Sequence, residues 1–172
     1  VRDYAQKLDG WTGPIALSQA DRAAAIARVP EALKDDIRFA YTNIRRFAEA
    51  QRATLTECEV EVMEGLIAGQ KLIPVSSAGC YVPGGRYSHI ASALMTVTTA
   101  KVAGVPHITA VSPPRPDVGV PDAIVFAMDL AGADVILNLG GVQGIAAMAQ
   151  GLFGAKPADI LVGPGNSYVA VK

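Results

Sequence analysis

Cysteine is nearly absent from this chain of 172 residues: with only Cys58 and Cys80, at most one bridge could form and no disulfide framework exists. A reduced, cytoplasmic setting is therefore expected. Histidine is as scarce, His89 and His107 being the only two, and no H-x-x-x-H or C-x-x-C spacing occurs. A zinc site built from this chain alone is not expected. An excess of charge is also lacking, since 15 Lys plus Arg against 16 Asp plus Glu leave a net charge of -1. That balance excludes a nucleic-acid surface and leaves a small molecule as the expected ligand. The most apolar stretch, residues 123–142, carries Asp129 and Asp134 and is broken by glycines, so no membrane span is expected. Internal repeats, low-complexity segments, the G-x-G-x-x-G fingerprint and the P-loop are missing as well.

What is present is apolar substance: 51% of residues are hydrophobic and 18% charged, enough for a packed core and too little charge for disorder. The length suits one compact domain with an appendage. The chain opens on Val1 and closes on Lys172, just after Tyr168-Val169-Ala170-Val171, which has the look of a first helical turn. It is expected to be a fragment.

Two helices are expected at the N-terminal end. Ser18 is a suitable N-cap for a helix to Arg28, and Glu31 to Arg52 places Leu33, Ile37, Ala40, Tyr41, Ile44, Phe47 and Ala48 on one amphipathic face. Arg45, Arg46 and Arg52 read as a solvated face. Cys58–Met63 alternates and Lys71–Val75 is broken by Pro74, so an irregular arm or edge hairpin is expected there. Beyond Cys80 strands and helices alternate. Strands are expected at 80–82, 107–111, 135–139 and 160–162, and helices at 92–103, 123–131 and 143–150. The strands are nearly continuous apolar runs, as in a parallel sheet covered on both faces. The expected fold is α/β: a Rossmann-like three-layer parallel sheet over residues 76–172, with an N-terminal helical arm and irregular β segment over residues 1–75.

Ligands of open parallel sheets lie outside the carboxyl ends of the strands. Four such junctions are readable: Pro83-Gly84-Gly85, Ser112-Pro113-Pro114, Gly140-Gly141-Val142-Gln143 and Gly163-Pro164-Gly165-Asn166. Glycine there allows backbone to approach a ligand and turns amide N–H groups toward an anion, although glycine is also an ordinary turn residue. Gln143 and Asn166 offer amides suited to ribose hydroxyls or a carboxamide, while Asn166 could equally cap its helix. Tyr81 could stack on or bond to a cofactor, or be a buried aromatic. Cys80 invites a nucleophile reading but has no activating neighbour in sequence, which favours a small buried hydrophobe. His89 could line the cleft, whereas His107, at a strand start, reads as structural.

These segments together carry a pattern. Tyr81-Val82-Pro83-Gly84-Gly85, Ala93-Leu94-Met95, Ala100-Lys101-Val102-Ala103-Gly104-Val105, Ser112-Pro113-Pro114, Gly140-Gly141-Val142-Gln143 and Val162 to Val169 resemble the histidinol dehydrogenase family in order and spacing, across about 90 residues. Most of the chain, including the N-terminal helices, fits the first half of such an enzyme. The resemblance implies a zinc-dependent dehydrogenase of histidine biosynthesis that oxidises a primary alcohol, L-histidinol, through the aldehyde to the carboxylic acid with two NAD. It implies NAD contacts at Tyr81, Gln143 and Asn166. Zinc ligands, a Glu-His catalytic pair and most substrate contacts are implied beyond Lys172, so no catalytic or metal residue is expected within the chain. It further implies a homodimer whose active sites borrow residues from the partner. Arg86 to Ser92, Val142 and Gly144 depart from the common pattern and resemble a branch related to sulfopropanediol dehydrogenase, with the same chemistry on a sulfonated diol. Arg86 or His89 could then meet an anionic substrate. The competing classes are a non-catalytic nucleotide-binding module, which predicts a natural end at Lys172, and a phosphate-binding transferase.

Overall fold

The computed structural model describes residues 1–84 and 89–164. Twelve elements follow in order among them: α1 (Arg2–Asp9), α2 (Gln19–Arg28), α3 (Glu31–Ala53), β1 (Cys58–Met63), β2 (Leu66–Gln70), β3 (Ser77–Tyr81), α4 (Ile90–Val102), β4 (His107–Ser112), α5 (Asp122–Ala131), β5 (Val135–Asn138), α6 (Gly141–Gln150) and β6 (Ile160–Val162). No helix among the described residues is long and apolar enough to cross a membrane.

The four later strands form one parallel sheet in the order β5-β4-β3-β6. That order corresponds to the first four strands of a doubly wound dinucleotide fold, and the parallel α/β sheet is the one expected. Period-two alternation divides its side chains cleanly. Ala78, Cys80, Val82, Ile108, Ala110 and Ile136 face one core with α4 and α5, while Val111 and Leu137 face a second core with α6 and Ala5 of α1. Helices α2 and α3 stack outside α5 and α4 and add Ala25, Val29 and Ile37 to the first core. Gly79 of β3 lies under α6, where a Cβ would stand 2.9 Å from Met148 Sδ. Only a hydrogen lets that helix come so close.

Polar devices pin the ends. Asp134, just before β5, accepts from Ile108 N at 2.8 Å, and Asp159, just before β6, accepts from Ser76 N and Ser77 N at 2.6 and 3.0 Å. Each carboxylate fixes the start of the neighbouring parallel strand. Arg22 of α2 donates to Ala133 O and Asp134 O beyond the end of α5, and Arg52 of α3 donates to Val102 O at the end of α4. Cations are favoured at helix C-termini, where the last carbonyls lack partners. Arg52 is exposed, as the solvated face expected for it requires, and adds this helix-end bond, while Arg45 bonds Glu49 and Tyr41 on the surface.

Two further differences from the sequence reading concern the arm. The partner of β1 is Leu66–Gln70, not Lys71–Val75, because Gly65 at φ 75 turns the chain directly after Met63-Glu64 and Pro74 cannot donate to a ladder. All residues of this hairpin are exposed. Helix α1 was not expected, its one buried residue being Ala5, too little for a visible apolar stripe. After it the chain lies against β5, with Asn138 N donating to Ile15 O at 2.7 Å and Leu17 N to Ile136 O at 3.0 Å. The arm therefore covers an edge of the sheet.

Candidate functional site

In this strand order the chain runs from β3 outward through β4 to β5 and then returns to β6 on the other side of β3. The switch point lies between β3 and β6, and the crevice at their carboxyl ends is where such folds hold a ligand. Tyr81 ends β3 there, and Gly163 follows β6 beside it, so close that a Cβ on Gly163 would collide with Tyr81 O. Tyr81 points to the α6 side of the sheet, half-buried in the second core.

The N-terminus of α6 completes the wall. Gly141, at φ 46, holds a left-handed conformation that favours glycine, and its N–H donates to the Tyr81 hydroxyl at 3.3 Å. Accepting that bond leaves the hydroxyl proton of Tyr81 without a partner among the described residues. Gln143 is 3% exposed. Its Nε2 donates to Asp9 Oδ2 at 2.8 Å, and its Oε1 is buried with no partner among the described residues. A Cβ on Gly141 would lie 3.3 Å from that Oε1. One free donor and one free acceptor thus flank Gly141, the complement of a hydroxyl or a primary carboxamide, each of which both donates and accepts.

Tyr81 and Gln143, singled out from the sequence, are brought together; Asn166, together with Arg86, lies outside the described residues. Asp9 was missed, and no local signal marks it, because its partners Gly140 and Gln143 lie 131 and 134 positions away. At two junctions the structure gives a glycine a packing role as well. Cβ atoms on Gly84 and Gly140 would stand 2.9 and 2.6 Å from the ring of Pro113, so these glycines accommodate that proline.

Cys80 is fully buried under α4, and burial pushes its thiol up to about 12. The nucleophile reading is closed by that environment. His107 Nε2 accepts from Lys156 N at 3.2 Å, a structural bond. His89 precedes α4 half-buried and makes no capping bond. No group of three or more His, Cys, Asp or Glu able to hold a metal occurs among the described residues.

A cleft of about 180 Å³ between α2, the 11–17 segment and the 118–122 loop shares no lining residue with this wall. Its polar groups are already satisfied: Arg28 pairs with Asp122 at 2.6 Å, Asp21 with Ser18, and Asn138 with Val120 N and Pro14 O. Nothing in it asks for a ligand, and the switch-point wall remains the candidate site.

The family model described as histidinol dehydrogenase matches residues 1–172. Over 168 residues the chain is 66% identical to the sulfopropanediol 3-dehydrogenase of Ruegeria pomeroyi, covering 98% of this chain and 39% of that protein. It is 41% identical over 170 residues to the histidinol dehydrogenase of Methanococcus maripaludis, covering 98% of this chain and 40% of the other. The crystal structure of histidinol dehydrogenase from Elizabethkingia anophelis matches with a TM-score of 0.84 at 32% identity, over 99% of this chain and 39% of that one. The chain spans about two fifths of the length of these relatives.

Proposed function

The chain belongs to the histidinol dehydrogenase family, and from that premise we propose that it is the cofactor-binding part of an NAD- and zinc-dependent dehydrogenase, with residues 1–75 as its arm and 76–172 as its nucleotide-binding domain. When bound, NAD supplies the hydride acceptor and zinc a Lewis acid toward the alcohol oxygen. The chain's own residues contribute binding and orientation. Tyr81 donates its free hydroxyl proton and Gln143 Oε1 accepts from the cofactor, with Asn166 a third contact. The Oε1 of Gln143, buried at the switch point with no partner among the described residues, supports this reading, because a buried acceptor without a donor is costly unless a ligand supplies one. The metal ligands and the acid-base residues of the proposed enzyme belong to sequence beyond Lys172, and the working enzyme is a homodimer.

For the substrate, the proposal is a short diol carrying an anionic group, as in the name sulfopropanediol. The observation that carries it is identity: 66% to the protein of that name against 41% to one named histidinol dehydrogenase, over nearly the same residues. The second reading is L-histidinol, favoured by the name of the structural neighbour. NAD reduction by the full-length protein, with the two alcohols side by side, decides between them. Faster turnover per unit KM with sulfopropanediol is expected, and a preference for histidinol reverses the assignment. The full-length Asn166→Ala variant is expected to bind NAD more weakly by about 1–3 kcal/mol, and an unchanged affinity in calorimetry would leave Asn166 a helix cap.

A further inference from the structure

We propose that Asp9 is a positioning residue for the cofactor, holding the Gln143 amide so that its oxygen faces the ligand and itself supplying the negative charge at the N-terminus of α6. The inference rests on the reading that Gln143 contacts NAD. An amide can present either end, and nothing on α6 chooses between them. Asp9 does: a carboxylate only accepts, so the NH2 group must turn to it, which it does at 2.8 Å, and the oxygen must turn away. The geometry is set by a helix end, since Gly10 at φ 63 terminates α1 directly after Asp9.

The second bond gives the arrangement its chemical meaning. Asp9 Oδ2 also accepts from Gly140 N at 3.3 Å, the residue before α6, whose first turn holds no acidic side chain and whose N-cap makes no side-chain bond. The position where a phosphate would be favoured is therefore already held by an anion of the protein. A ligand phosphate there would meet a like charge. What the wall can take is a neutral group with both a donor and an acceptor, a ribose hydroxyl or the nicotinamide carboxamide, and Asp9 enforces that choice from 134 positions away.

The test is a double-variant cycle in the full-length protein, with NAD affinity read by calorimetry and KM and kcat by turnover. Gln143→Ala is expected to weaken NAD about tenfold. Asp9→Ala is expected to weaken it comparably, raising the KM for NAD far more than it lowers kcat, and to change affinity less than about twofold once Gln143→Ala is present. If Gln143→Ala leaves affinity unchanged, the cofactor reading of Gln143 fails. If Gln143→Ala weakens NAD but Asp9→Ala does not, or if the two effects multiply in the double variant, the role of Asp9 is overturned while the cofactor reading stands. Thermal unfolding of each variant shows whether it is folded; should Asp9→Ala not be, Asp9→Asn replaces it, with a smaller weakening that again must vanish beside Gln143→Ala.

Discussion

A thiol enclosed by a sheet and a helix has nowhere to place a charge, and Cys80 and Cys58 divide on that point. Cys80 lies on the β3 face beneath α4, and desolvation outweighs its bond with Thr96 in holding the thiol neutral. Cys58 opens an exposed strand. A maleimide at about pH 8 is expected to label Cys58 within minutes and Cys80 only after denaturation, since the thiolate is the nucleophile. Peptide mass spectrometry reads the two sites, and rapid labelling of both in the native protein would contradict the burial described. Single residues were legible in the sequence where position alone identified them. Tyr81 and Gln143 follow apolar runs and so had to fall on the rim. Asp9 was not legible, because its significance comes from partners on α6 and an acid at the end of a short polar helix is otherwise an ordinary surface residue.

At the scale of elements, local chemistry decided most boundaries. Ser18 caps α2 as expected, and the full reciprocal box forms: Asp21 N donates to Ser18 Oγ at 3.1 Å, while Ser18 N and Oγ donate to Asp21 Oδ2 at 3.0 and 2.6 Å. The Ser18 hydroxyl, and after it the Ser18 amide, hold the Asp21 carboxyl below its ordinary value. A lowered folded value means that the contribution is present above the ordinary carboxylate range and is lost as pH falls through the folded value. Ser18→Ala is expected to cost about 1 kcal/mol at neutral pH. Asp21→Asn is expected to flatten part of the decline in urea midpoint between about pH 5 and 3, and an unchanged acid slope would deny the box its role. The elements the sequence misplaced lack such local signals. Strand β2 has no buried face to impose alternation, and α1 buries a single alanine. Apolar periodicity reports burial, and where little is buried it has little to report.

The whole molecule depends on contacts that no window of sequence contains. The order β5-β4-β3-β6 brings Tyr81 beside Gly163, and the arm returns to β5 so that α1 can deliver Asp9 to α6. Asn138 ties that return. At the end of β5 its Oδ1 accepts from Val120 N at 3.0 Å and its Nδ2 donates to Pro14 O at 2.9 Å, joining the arm, the sheet and the loop before α5 through one buried side chain. Truncation would leave Val120 N without a partner and Pro14 O with only its bond from Trp11 Nε1, so Asn138→Ala is expected to cost about 1–3 kcal/mol, chiefly the bond lost at Val120 N. The distribution of the effect distinguishes a tie from a merely buried side chain. Amide exchange should quicken together at Leu17, Val120 and Asn138, the hydrogens bound across the junction, while Cys80 and Ala110 in the sheet centre keep their protection. Because α1 lies at the far end of the same arm, loosening at Asn138 should also reach the Asp9–Gln143 bond. Uniform acceleration across the sheet would show instead that the arm and sheet unfold as one unit, and that Asn138 contributes to global stability alone.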